Sequence, residues 1–216
     1  EAIPWFGGIQ GRPGETEGAA DLVGMLTRKN MIADVCFYFL YEAADAVLRI
    51  ENCKLKLQGI LLQMIPEFYS LGTQLQRFNQ LFKDQPETRE RLLLTIPEEL
   101  VLNANKTTTE LIERYLRNGI RLVVDNYDPE KLPADQLKAM GFTCLRFAPE
   151  LYLKQETANT MTALRREGFT LIGGWADTHD VLLWQAACGV SFMGGTITGI
   201  PVDEDELIRD SLAREK

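Results

Sequence analysis

The sequence holds a single histidine, His179, and four cysteines, Cys36, Cys53, Cys144 and Cys188, with no C-x-x-C pair among them. That scarcity argues against a Cys/His zinc site. The wide spacing in mostly apolar surroundings predicts reduced, packed thiols of a cytosolic protein instead of a disulfide framework. No block of Lys and Arg is long enough to follow a phosphate backbone, and 23 basic against 31 acidic residues give a net charge of -8, so nucleic acid is not an expected partner. There is no long uncharged apolar run either. The longest apolar segment, over 32–50, carries Asp34, Glu42, Asp45 and Arg49, charges costly in lipid, and reads as a soluble core helix. No low-complexity linker interrupts the sequence, and no signal peptide is expected ahead of that segment. The first residue is Glu1, which reads as the start of a piece of a longer protein and leaves a membrane span upstream open.

What is present is ample apolar material: 45% of the 216 residues are hydrophobic, enough for the core of one α/β domain. Its centre is the run Ile120-Arg121-Leu122-Val123-Val124-Asp125-Asn126-Tyr127, preceded by Asn118-Gly119 and followed by Asp128-Pro129. A short β-branched run of this kind reads as a strand covered on both faces. In parallel α/β folds the polar groups at a strand's carboxyl end stand where the chemistry is done, and here those are Asp125 and Asn126. Patterning predicts an opening strand over 3–9 and a second extended piece over 16–26, forming an irregular hairpin. Helices are predicted over 33–50, 68–82, 109–117 (capped by a preceding threonine), 134–140, 151–166, 179–187 and 203–212. Strands are predicted over 59–65, 91–96, 143–147, 170–172 and 190–193, besides the central one. Such alternation excludes an antiparallel sandwich and predicts parallel strands with crossover helices, closed into an α/β (β/α)8 TIM-type barrel.

Three segments add a likeness. Leu171-Ile172-Gly173-Gly174-Trp175-Ala176-Asp177-Thr178 is similar to V-A-E-G-V-E-T, and Arg121 to Tyr127 to R-L-A-L-D-D-F-G. Cys188-Gly189-Val190-Ser191-Phe192-Met193-Gly194-Gly195-Thr196 is similar to C-D-Y-G-Q-G-Y, with Pro201 in place of the proline of a terminal S-R-P. Over essentially its whole length the chain resembles an EAL domain, a barrel whose active members hydrolyse the bacterial second messenger cyclic di-GMP. The resemblance implies Mg or Mn ions held by oxygen ligands at the carboxyl ends of the strands, polarising the phosphodiester and deprotonating the attacking water.

Carried over position by position, that ligand set is depleted. The glutamate of E-A-L falls on Ala20, in Ala20-Asp21-Leu22, the arginine after it on Gly24, and the asparagine ligand on Gln63. In E-I-T-E the first glutamate becomes Thr95 and the second survives as Glu98. The aspartate pair reads Asp125-Asn126, the lysine of the next strand becomes Arg146, the following glutamate Gly174 and the glutamine Gly194. One Asp125 cannot neutralise a dication and a bridging hydroxide, because affinity for hard cations rests on the number and charge of oxygen ligands. Neither a metal nor another cofactor is therefore expected, and no catalytic residue.

The remnant positions Glu98, Asp125, Asn126, Arg146 and Asp177 also have structural readings. Asp125 suits an ion pair with Arg146, Glu98 the start of a helix, and Thr178 a helix cap with His179 in the first turn, against an imagined triad using Cys144 or Cys188. The pairs Gly173-Gly174 and Gly194-Gly195 end two strands, where backbone amides together with Arg146 would form a phosphate cradle, or else they fill space left by lost side chains. Trp5, Trp175 and Trp184 read as core or rim residues. The expectation is one EAL-like domain spanning 1–216 of a longer, multidomain, cytoplasmic signalling protein, catalytically inactive and serving as a regulatory or protein-interaction module. Its partners would be another protein or fused signalling domains, with cyclic di-GMP bound weakly or not at all, and a homodimer through barrel helices left open. The alternatives are a phosphodiesterase with residual or altered activity using Asp125, Glu98, Asp177 and Mg or Mn, and a non-hydrolysing phosphate or nucleotide-binding module.

Overall fold

The computed structural model describes residues 5–7, 24–55, 57–70, 73–199 and 202–214. In chain order the elements are β1 (Trp5–Gly7), α1 (24–28), α2 (Ile32–Asn52), β2 (Ile60–Leu62), α3 (Thr73–Leu81), α4 (Pro86–Glu90), β3 (Leu92–Pro97), α5 (Glu98–Leu102) and α6 (Lys106–Arg117). They continue with β4 (Arg121–Tyr127), α7 (Ala134–Met140), β5 (Cys144–Phe147), α8 (Gln155–Arg166), β6 (Thr170–Trp175), α9 (His179–Ala187), β7 (Phe192–Gly194) and α10 (Glu204–Arg214). The chain divides into two compact units, one comprising 1–95 and 105–120, the other 96–104 and 121–216.

In the first unit β1 pairs parallel with β2, and β2 with β3 in the register Ile60↔Leu92, Leu61↔Leu93, Leu62↔Leu94. All six of those last side chains are buried, each contributing about 1.5–3 kcal/mol of apolar transfer. The strands approach so closely at Gly59 that a Cβ there would lie 2.7 Å from the Arg91 carbonyl. α2 turns Phe37, Leu40, Val47 and Ile50 inward, with Ala43, Ala44 and Ala46 letting the helix pack close. Phe68, Tyr69, Phe78 and Tyr115 complete the core, the Phe68–Tyr69 and Tyr69–Tyr115 rings meeting edge-on at 5.3 and 5.8 Å.

In the second unit β4, β5, β6 and β7 pair in that order, all parallel. Leu122, Val123, Val124, Leu145 and Leu171 are buried, as are Leu137 of α7 and Met161 and Leu164 of α8. A run buried on both faces is what parallel strands require. The Gly141 turn after α7 (φ 97) ends that helix in the left-handed conformation that glycine adopts freely.

Several boundaries differ from the patterning. The extended piece over 16–26 ends in the helix 24–28, and its residues before 24 lie outside those described, as do Ala20, Asp21, Leu22 and Pro201. The helix over 68–82 is instead a 3₁₀ turn, Pro66–Ser70, followed by α3; proline fixes φ and opens the turn. The strand over 59–65 contracts to β2, and the helix over 151–166 begins only at Gln155, after a 3₁₀ turn Pro149–Leu151. α6 is capped by Asn105, whose Oδ1 accepts from the Thr108 amide at 2.9 Å, not by a threonine. The cysteines are free, with Cys36, Cys144 and Cys188 buried, and burial pushes the Cys36 thiol up to about 11. No helix among the described residues is long and apolar enough to cross a membrane.

Candidate functional site

The carboxyl ends of β4, β5 and β6 bring several of the sequence candidates together. β4 pairs with β5 as Val123↔Cys144 and Val124↔Leu145, then as Tyr127↔Phe147, so Asp125 and Asn126 together face Arg146. This is a bulge, one extra residue that re-aims the side chains beside it. Asn126 takes it up with φ 55, the left-handed conformation that asparagine tolerates better than most residues. The turned backbone brings the Asn126 amide onto Asp125 Oδ1 at 2.9 Å.

Arg146 closes on the same carboxylate from the opposite strand. Its Nε donates to Asp125 Oδ1 and its Nη2 to Oδ2, both at 2.6 Å. The two side chains are 16% and 9% exposed, so this is a nearly dry, two-pronged pair of the geometry that the planar guanidinium favours. With both oxygens engaged, Asp125 is a counter-ion.

Tyr152 occupies the neighbouring position. A Cβ on Gly174 would lie 2.3 Å from the Tyr152 hydroxyl and 2.9 Å from its ring. The hydroxyl donates to the Phe147 carbonyl at 3.2 Å, and the ring packs 5.7 Å from that of Trp184. Burial pushes the phenol up to about 12, opposed by the Gly174 amide and Arg146. Thus the phenol fills the volume over Gly174 where the resembling motif carries glutamate, and where an anion would need room.

The other candidates are engaged elsewhere. Glu98 opens α5 and is buried; its Oε1 accepts from the Asp128 amide at 2.7 Å, pinning the turn after β4. Burial raises its carboxyl above the ordinary value, partly opposed by the Asp128 amide and Lys131. Asp177 is exposed and accepts from the Thr196 hydroxyl at 2.9 Å. Thr178 caps α9 by accepting from the Val181 amide at 3.3 Å, which leaves His179 in the first turn, as patterned. Gly173 lies against the buried Gln185, whose Oε1 would be 2.2 Å from a Cβ there. Gly195 (φ 145) lets the backbone pass Ala176, whose carbonyl would be 2.1 Å from a Cβ. Gly194 ends β7, its carbonyl accepting from the Ala176 amide at 2.8 Å.

In the first unit Thr95, at the position of a ligand glutamate, accepts from the Met64 amide on Oγ1 at 3.0 Å, while its carbonyl accepts from the Tyr69 hydroxyl at 2.8 Å. Gln63 is exposed and Gly24 lies in α1. Among the described residues no three His, Cys, Asp or Glu side chains are grouped so as to hold a metal ion. With Asp125 saturated by Arg146, the donor set does not fit the Mg or Mn that the resemblance implies. Sequence reasoning missed Tyr152 and the bulge; the only local signal was a lone aromatic after Pro149.

No family model matches the sequence, and no curated protein matches it. Solved structures do. The PaMucR phosphodiesterase in its c-di-GMP complex superposes with a TM-score of 0.72 at 13% identity, over 87% of this chain and 79% of that one. The fold is that of an EAL domain. The Xanthomonas citri FimX EAL domain in complex with c-diGMP matches the same fold with a TM-score of 0.68 at 10% identity, over 82% of this chain and 73% of that one. Vibrio cholerae LapD, as an S helix-GGDEF-EAL structure, gives 0.62 at 16% identity over 80% of this chain, which spans 43% of LapD's length there. At these identities the likeness is one of fold: α/β of the EAL kind, as expected from the sequence, with seven parallel strands among the described residues where an eight-stranded barrel was expected.

Proposed function

We propose that this chain is a catalytically inactive EAL-fold domain, spanning 1–216 of a longer signalling protein, that acts as a regulatory or protein-interaction module in cyclic di-GMP-related signalling. One observation carries the reading: both oxygens of Asp125 are bound by Arg146 at 2.6 Å. A carboxylate so held is neither a ligand for a hard dication nor a base for water. The Tyr152 phenol over Gly174 supports the same conclusion, because it fills the room next to that pair.

Turnover is the test. Incubation with cyclic di-GMP and millimolar Mg²⁺ or Mn²⁺ is expected to yield no linear dinucleotide, and calorimetric titration to give weak or no binding. Hydrolysis that disappears in Asp125→Asn would overturn the proposal and restore the phosphodiesterase reading.

A further inference from the structure

Tyr152 ties three segments of the second unit together, and each of them turns one large apolar side chain into water. Tyr152 itself touches Gly174 and Trp184; their chain neighbours Leu153, Trp175 and Leu183 are 55%, 49% and 65% exposed. Leu153 holds φ 64, a left-handed conformation that costs a non-glycine residue on the order of 1–2 kcal/mol. A bulky aliphatic residue strained and solvated at once gains nothing within this unit. α9 has the same character beyond its first-turn His179 and Asp180: Val181, Leu182 and Trp184 are half-buried, Leu183, Ala186 and Ala187 are exposed, and the only side chain it buries is Gln185. Exposed apolar side chains gathered on such a helix mark a surface that belongs against something.

The charges in the same chain segments indicate what that is. Over 150–156 and 175–184 the acidic residues are Glu150, Glu156, Asp177 and Asp180, all exposed, against Lys154 alone. Acid rims favour a basic partner and disfavour a second acidic surface. This chain, at a net charge of -8, carries the wrong sign to be its own ligand.

We propose that Leu153, Trp175 and Leu183 form a docking surface for a protein segment that presents apolar side chains flanked by Lys and Arg, such as a cationic amphipathic helix. The proposal rests on the interaction-module reading above and names its partner chemistry. Exposed aromatic and aliphatic anchors supply the burial, and the acidic rim supplies orientation and rate.

The probe is a synthetic Leu/Lys amphipathic helix, titrated calorimetrically into the whole chain beside a Leu/Glu peptide of the same length and pattern. The Leu/Lys peptide is expected to bind and the Leu/Glu peptide not, with affinity falling as salt rises. Trp175→Ser with Leu183→Ser should weaken binding at least about tenfold at unchanged circular dichroism. Leu153→Asn, which suits the left-handed conformation, should weaken binding while raising the unfolding midpoint. Equal affinity for both peptides, no binding, or undiminished binding by the variants would overturn the proposal. So would a homodimer in light scattering that dissociates in the Trp175→Ser/Leu183→Ser variant, since it would give the surface to a second copy. Cyclic di-GMP turnover with peptide binding intact would instead overturn the inactive-module reading alone.

Discussion

At the scale of single residues, the second unit is governed by charges removed from water. Arg146→Met leaves the Asp125 carboxylate, 9% exposed, without its counter-ion and should cost about 3–5 kcal/mol. The shift in urea midpoint at unchanged slope measures this, and Asp125→Leu added to Arg146→Met should recover most of it; a loss below about 1 kcal/mol would show that the pair is not structural. Glu98 behaves oppositely. Its carboxyl is raised by burial, so the folded state binds the proton more tightly than the unfolded chain does. Its contribution therefore improves as pH falls from the raised value to the ordinary one and is lost as pH rises through the raised value. Glu98→Gln keeps an oxygen for the Asp128 amide and removes the buried charge. The variant should melt higher than the parent at neutral pH, and the difference should vanish below the ordinary carboxylate range.

At the scale of elements, the contact between β6 and the turn before α8 decides what can stand over Gly174. Gly174→Ala sets a methyl 2.3 Å from the Tyr152 hydroxyl, and overpacking of that kind costs about 1–3 kcal/mol. In a Tyr152→Ala background the same substitution should be close to neutral, a coupling that a double-mutant cycle measures by chemical denaturation. Sequence patterning served unevenly at this scale. α7 and α9 begin and end where spacing and capping residues set them, because Pro133, Gly141 and Thr178 are local signals. The β4 bulge was illegible: Asn126 reads as an amide in place of a ligand, whereas its left-handed backbone arises from pairing with β5. Tyr152 was illegible for the same reason, since its partners Gly174 and Trp184 lie 22 and 32 positions away in the numbering. The Asp125–Arg146 pair was readable because both residues end adjacent strands.

At the scale of the whole molecule, the EAL fold is carried by its pattern of buried strands and covering helices, which 13% identity to the PaMucR phosphodiesterase suffices to keep. Chemistry is more demanding, for it needs particular oxygens at particular strand ends, and Thr95, Asn126, Arg146 and Gly174 have other work in this chain. One feature also offers a spectroscopic handle. With ring centres 5.7 Å apart, Tyr152 lies well inside the range over which a phenol passes its excitation to an indole, so light absorbed by Tyr152 leaves as Trp184 emission. Only parting of the two rings beyond that range would return tyrosine emission near the ultraviolet edge, an optical record, free of any label, of the turn before α8 coming away from α9.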